Sequence, residues 1–331
     1  MKPREAQQKV SPQVLITVLF IIILLSCTQI PLTVQFSLKV SYEKDNTYWS
    51  VYTFHHWYSN MSDKLFIIQL ITSFVVGGGF IGLQSFIAEK AGRKLSGIIL
   101  TFPSTIALGF FFLGWALSPE AVAKVVPSTL IPLGLTVLFT AIYAYLAENI
   151  SRIIGNKSRQ IILTFGISLT FWFIFSLPFA ILEIDNLPAG ITGYFLLTLL
   201  THVLLHRKKH EKPTRLQYTP MQKVGRALFA GLIIFLVVLL GKLLSPFWGG
   251  VFAMFPAAFS SMLLILHWYY GPESLFPGFQ KVPLGSLSLF SYAIAAMFVF
   301  PEFGFVIGTL ISYAVSIVLV LLLVMLTKKS T

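Results

Sequence analysis

Charge and cysteine are the two things this sequence has little of. Charged residues make up 11% of its 331 positions, against about 25% in an ordinary soluble domain, which excludes a water-solvated globular chain. The single cysteine, Cys27, excludes an internal disulfide framework or a thiolate metal cluster within one chain. No Gly-x-x-x-x-Gly-Lys-Ser/Thr run occurs, so ATP is not the expected energy source. Acidic residues number 12 against 24 basic ones and are scattered, unlike the clustered Asp, Glu or His of an integral-membrane enzyme.

Apolar residues fill the space: 56% of the chain is hydrophobic, with a mean hydropathy of +0.82. This is the composition of a polytopic membrane protein. The net charge of +12 sits in short loops between apolar runs, the positive-inside pattern rather than a nucleic-acid-binding stripe.

Taken in order, the basic N-terminus leads into an apolar run, residues 14–30, with two competing readings. One is a retained helix; the other is a lipoprotein signal, since Leu24-Leu25-Ser26-Cys27 approximates a lipobox. The helix is favoured because the run is long for a signal and a later span needs it as a partner. Residues 37–63 are polar and dense in aromatic side chains, with the adjacent His55 and His56. Rings in such number belong at the headgroup level, and no cysteine or acidic cluster completes a metal site. Further spans are read at 65–88, 95–117, 130–146, 161–182, 189–205, 227–240, 247–269, 284–300 and 303–326. The fold expected is therefore all-α, with about ten transmembrane helices and both termini cytoplasmic. The most basic loop, within 207–222, separates residues 1–206 from 223–331.

The chain repeats itself. Gly97, Phe102, Pro103 and then Pro119-Glu120 return as Gly250, Phe255, Pro256 and Pro272-Glu273, each 153 residues later, and a Pro-Leu-Gly triplet follows both copies. The two Phe-Pro motifs lie five spans apart. An odd offset inverts the second copy, which predicts a five-plus-five inverted repeat of the kind secondary transporters use. A proline within a span frees a backbone carbonyl, and such a break persists where protein or a wet cavity surrounds it.

These breaks supply the candidate substrate pathway: Thr101, Phe102, Pro103, Ser104 and Thr105 in the first copy, Phe255 and Pro256 in the second, with Lys242 as an anion-attracting charge. Packing kinks and snorkelling of Lys242 to the interface are the competing readings. Glu148 and His202 are candidates for a proton relay, as is Glu89, which the repeat sets opposite Lys242; solvation at helix ends is the plainer reading of all three. No catalytic residue, metal or cofactor is expected.

The segment from Leu240 to Pro256, with Gly250 and the Phe255-Pro256 pair, resembles the small GlpM-type bacterial inner-membrane proteins, which carry a similar Gly-x-x-x-x-Phe-Pro run in a chain of about one half this length. The resemblance covers about a third of the chain. It implies a fused, duplicated relative in a bacterial or archaeal cytoplasmic membrane, and carries no substrate with it. The function expected is secondary transport or export of a small polar or amphipathic solute by alternating access. A lipid or lipid-linked precursor flippase is the second reading, and a non-transporting scaffold or membrane enzyme the third. The partners expected are that small-molecule or lipid substrate and the surrounding lipids, with no nucleic acid; a homodimer is left open.

Overall fold

The computed structural model describes residues 64–90, 103–206 and 219–328, and these are helical with no strand among them. The helices are α1 (Lys64–Lys90), α2 (Ser104–Ala116), α3 (Pro119–Ile153), α4 (Lys157–Ile181), α5 (Leu187–His206), α6 (Pro220–Leu243), α7 (Pro246–Ala253), α8 (Ala257–Tyr270), α9 (Leu275–Phe279) and α10 (Val282–Lys328). The span expected at 14–30, Cys27, the aromatic stretch with His55 and His56, Gly97, Thr101 and Phe102 fall outside the described residues.

Each start is set by local chemistry. Ser118 is extended and accepts from the Ala121 N–H at 3.1 Å, while Pro119 and Glu120 open α3, where a missing donor costs nothing and a carboxylate favours the helix dipole. Asn156 caps α4 by accepting from the Arg159 N–H. Thr219 and Gln222 form a reciprocal capping box at α6, followed by Pro220. Gly271 ends α8 and Gly304 interrupts α10, at φ 81 and φ 73 respectively, a conformation glycine adopts without a Cβ penalty.

Seven stretches among the described residues are long and apolar enough to cross a membrane, against ten expected. The difference has identifiable origins. The first expected span lies outside the described residues, and α2 has only 13 described residues. The last two expected spans share one element, α10, which folds back on itself at Gly304. Gly308 returns so close to Phe300 that a Cβ there would lie 3.2 Å from the Phe300 Cα. The Tyr292 and Tyr313 rings sit 5.2 Å apart, and the Ser316 hydroxyl donates to the Ser288 carbonyl at 2.9 Å. The two arms, 282–303 and 305–328, thus form an antiparallel hairpin. Helix α3 begins eleven residues before the expected 130–146 span and runs through Pro127 and Pro132 unbroken. The Ser128 and Thr129 hydroxyls donate to the Val125 and Val126 carbonyls across this stretch.

Helix α3 lies at the centre: its apolar window is 89% buried, against 39% for α1 and α4. The outer helices turn apolar side chains outward instead. Leu65, Ile68, Ile71 and Val75 of α1 and Val306, Leu310 and Val318 of α10 are exposed. An outer face of this kind suits lipid and not water. The chain is a multi-pass integral membrane protein.

Hydrophobic burial drives helix association weakly in such a solvent, so close packing of small residues and internal hydrogen bonds carry more of the cohesion. The α1–α6 crossing illustrates the first. A Cβ on Gly78 would fall 2.8 Å from the Ala227 carbonyl oxygen, and one on Gly231 would fall 2.6 Å from that of Phe74. The helices run antiparallel, with Gly82 against Ala227 and Gly77 against Ile234, and meet backbone to backbone.

Candidate functional site

The break at Phe255-Pro256 separates α7 from α8 within one crossing. Pro256 has φ −74° and ψ 43°, and Pro103 before α2 has φ −74° and ψ 49°. The next helix starts alike in both, with the Ala107 N–H donating to the Pro103 carbonyl at 2.9 Å and the Ser260 N–H to the Pro256 carbonyl at 2.7 Å.

The break leaves the Met254 carbonyl without its helical partner. Thr136 of α3 supplies the donor, and the Thr136 oxygen in turn accepts from the Trp172 indole N–H of α4 at 2.8 Å. All three residues are buried. Phe255 packs beside them, its ring 5.4 Å from Trp172, 5.9 Å from Phe173 and 6.0 Å from Phe229. The freed carbonyl is therefore satisfied internally, as a buried backbone group requires. Phe255 and Pro256 anchor an aromatic cluster here.

From this knot a polar seam runs along α3, α4 and α8. Thr136, Thr140 and Tyr143 follow one another at helical-turn spacing on α3 and are all buried. Tyr143 reaches α8, where its hydroxyl lies 3.1 Å from His267 Nδ1, the two rings edge to face at 5.8 Å. His267 is 0% exposed, and its Nε2 has no hydrogen-bond partner. Ser260, two turns earlier on the same face of α8, and Thr164 of α4 are also fully buried with unpartnered hydroxyl oxygens. Lys157, the first residue of α4, is the charged group that acts on the His267 ring.

Helices α4 and α8 run antiparallel, with Phe255 beside Trp172 at one end and His267 near Lys157 at the other. That register brings Ser260 to the level of Thr164 and Ser168. Such groups normally find partners; here three donors or acceptors lie unused along one apolar-walled seam. The arrangement leaves polar groups available for hydrogen bonding out of reach of water. It contains no carboxylate, and no group of three or more His, Cys, Asp or Glu residues able to hold a metal occurs among the described residues.

The residues expected from sequence lie apart from this seam, except at the second break. Pro103 and Ser104 are buried and Thr105 half-buried at the start of α2, which packs on α1, α6 and α10. Lys242 is half-buried in the last turn of α6, where a cation favours the dipole. Glu148 pairs with Arg152 at 2.6 Å, one turn apart on α3. His202 is exposed and stacked on His206 at 4.0 Å between ring centres. Glu89 falls in the last turn of α1.

Sequence reasoning did not pick out His267, Tyr143, Thr136, Trp172, Ser260 or Thr164. A signal for His267 was present, an ionisable residue inside the apolar run Leu263–Tyr270. Arg226, one turn before Phe229 on α6, was also missed; it is the only Asp, Glu, Lys or Arg that is buried among the described residues.

No protein-family model, curated protein or solved structure matches this chain. Its function rests on its own geometry.

Proposed function

We propose that the chain is a secondary transporter built as a five-plus-five inverted repeat in a bacterial or archaeal cytoplasmic membrane, moving a small polar or amphipathic solute by alternating access. The observation that carries this reading is the α1–α6 crossing. Gly78 and Gly231 stand 153 residues apart, and so do Phe74 and Ala227, the same offset as Pro103 to Pro256. Gly78 meets the Ala227 carbonyl and Gly231 meets the Phe74 carbonyl, so exchanging each residue for its repeat partner turns one contact into the other. A contact that maps onto itself lies on a twofold axis. Because the two helices are antiparallel, such an axis would be perpendicular to them and in the membrane plane, as an inverted repeat requires. The matching backbone at the two prolines and the equal spacing from them to the next helix support the same relation.

Alternating access needs a site that each half flanks and that is closed to one side at a time. The seam beside the second break meets the first requirement: it is polar, walled by apolar rings and bounded by a discontinuous helix. The motif shared with GlpM-type proteins fits a duplicated ancestor.

Two measurements test the proposal. After Cys27→Ser, cysteines introduced as Glu120→Cys and Glu273→Cys are expected to react with an impermeant maleimide from opposite faces. Labelling from one face would remove the inverted repeat. In proteoliposomes, counterflow of a labelled solute is expected only when the same solute is inside, and counterflow unchanged by Thr136→Val and His267→Leu would place the path elsewhere.

A further inference from the structure

The Tyr143–His267 contact carries information about what the seam binds. Only one hydrogen can lie between the Tyr143 oxygen and His267 Nδ1, which are 3.1 Å apart. If Nδ1–H donates, the phenol hydrogen and the Nε2 lone pair are both left buried without partners. If the phenol donates to Nδ1, the imidazole carries its hydrogen on Nε2, and Nε2–H is the single group left over. Both residues are fully buried, and leaving buried polar groups unmade is costly. The second arrangement leaves one such group against two and is the favoured one.

The seam therefore presents a fixed N–H donor, with the Ser260 and Thr164 hydroxyls two turns away and unpartnered. All three can donate. No carboxylate side chain enters the seam, and the exposed Lys157 stands at the start of α4, at the His267 end. A fixed N–H donor with no carboxylate beside it favours an oxyanion, since hydrogen bonds to a charged acceptor are the stronger kind.

We infer that His267 is a binding residue for an oxyanion, a carboxylate or phosphate oxygen, held at Nε2–H in the α3–α4–α8 seam, with Tyr143 as the residue that fixes the tautomer. This rests on the transport reading above, because it takes the oxyanion to belong to the transported solute.

The test separates the two. Thermal unfolding of the purified full chain is followed with succinate, lactate and inorganic phosphate, with glycerol and choline as neutral and cationic controls, and with phosphatidic acid in mixed micelles. An oxyanion is expected to raise the midpoint where glycerol and choline do not. His267→Leu is expected to weaken that response by roughly tenfold or more, the value of one hydrogen bond to a charged acceptor, while His267→Gln, which keeps an N–H donor, restores part of it. A response to phosphatidic acid alone assigns the oxyanion to a lipid headgroup. No response to any oxyanion, or an equal one in His267→Leu, overturns the site.

If the leucine variant does not fold, nitrogen-15 NMR of histidine-labelled wild-type protein decides instead. The protonated nitrogen of His267 is expected to be Nε2, moving to a mixture of tautomers in Tyr143→Phe. A protonated Nδ1 in the wild type overturns the proposal. Oxyanion binding without solute flux would sink the transport reading and leave the site standing; flux of a neutral solute without oxyanion binding would do the reverse.

Discussion

Pro103 and Pro256 share a backbone conformation, and the helices that follow them differ. Both prolines hold nearly the same φ and ψ. After Pro256, α8 carries His267; the position 153 residues earlier is Gly114, where a Cβ would fall 2.9 Å from the Phe305 side chain. A ring is packed where the other copy has a hydrogen-bonding imidazole. The helices end differently too, α2 at Ala116 with Ser118 then capping α3, α8 at Tyr270 with Gly271 and a short 3-10 turn before the next helix. Under the proposed duplication, the proline geometry is kept in both copies while the polar seam belongs to one.

The largest effect expected from breaking this comparison is at the α1–α6 contact. Gly78→Leu and Gly231→Leu would each drive a side chain into a backbone carbonyl closer than 3 Å, and each is expected to cost about 3 kcal/mol or more, seen as lost monodisperse protein. Equal losses support equivalence of the two positions; a large loss in one alone breaks it. Gly79→Ala, where a Cβ meets nothing within 4 Å, should leave unfolding unchanged or slightly later.

Next comes the knot at the second break. Thr136→Val removes the donor to the Met254 carbonyl and the acceptor for Trp172, two buried groups orphaned together. A loss of about 2–4 kcal/mol is expected, measured by denaturant unfolding in micelles. Trp172→Phe should lose less, about 1–2 kcal/mol, because it leaves the Thr136–Met254 bond in place. If the two losses match, the relay is not cooperative.

Tyr143→Phe should destabilise by about 1 kcal/mol through its single bond to His267. Smallest of all is Glu148→Gln. The pair with Arg152 is surface-placed, with the arginine side chain 69% exposed, so roughly 0.5 kcal/mol or less is expected. A larger change in flux than in stability would return Glu148 to a relay role.

Much of the architecture was legible because glycine and proline mark backbone geometry directly. The Phe-Pro spacing and the break at Pro256 both follow from residue types whose physics is local. Helix boundaries were read less well where a helix continues through its prolines, as α3 does through Pro127 and Pro132. The fold-back at Gly304 was read only as a gap between two spans. The site was the hardest part. Thr136 and Trp172 look like ordinary span residues, and only the approach of α3, α4 and α7 shows that a threonine caps a carbonyl 118 positions away in sequence. Lys242 and His202 drew attention through their charge, yet one ends a helix and the other is exposed on the outer surface.

The glycine contact between α1 and α6 has a mechanical consequence. When two halves of a molecule trade conformations about a twofold axis, every point is carried to a new place except those on the axis. Gly78 and Gly231 straddle that axis under the proposed symmetry, with no side chains between them to interlock. They make a fulcrum: the helices can pivot like the blades of scissors while the rivet stays still. Spin labels flanking this point should report one unchanging distance, while labels toward the helix ends report two.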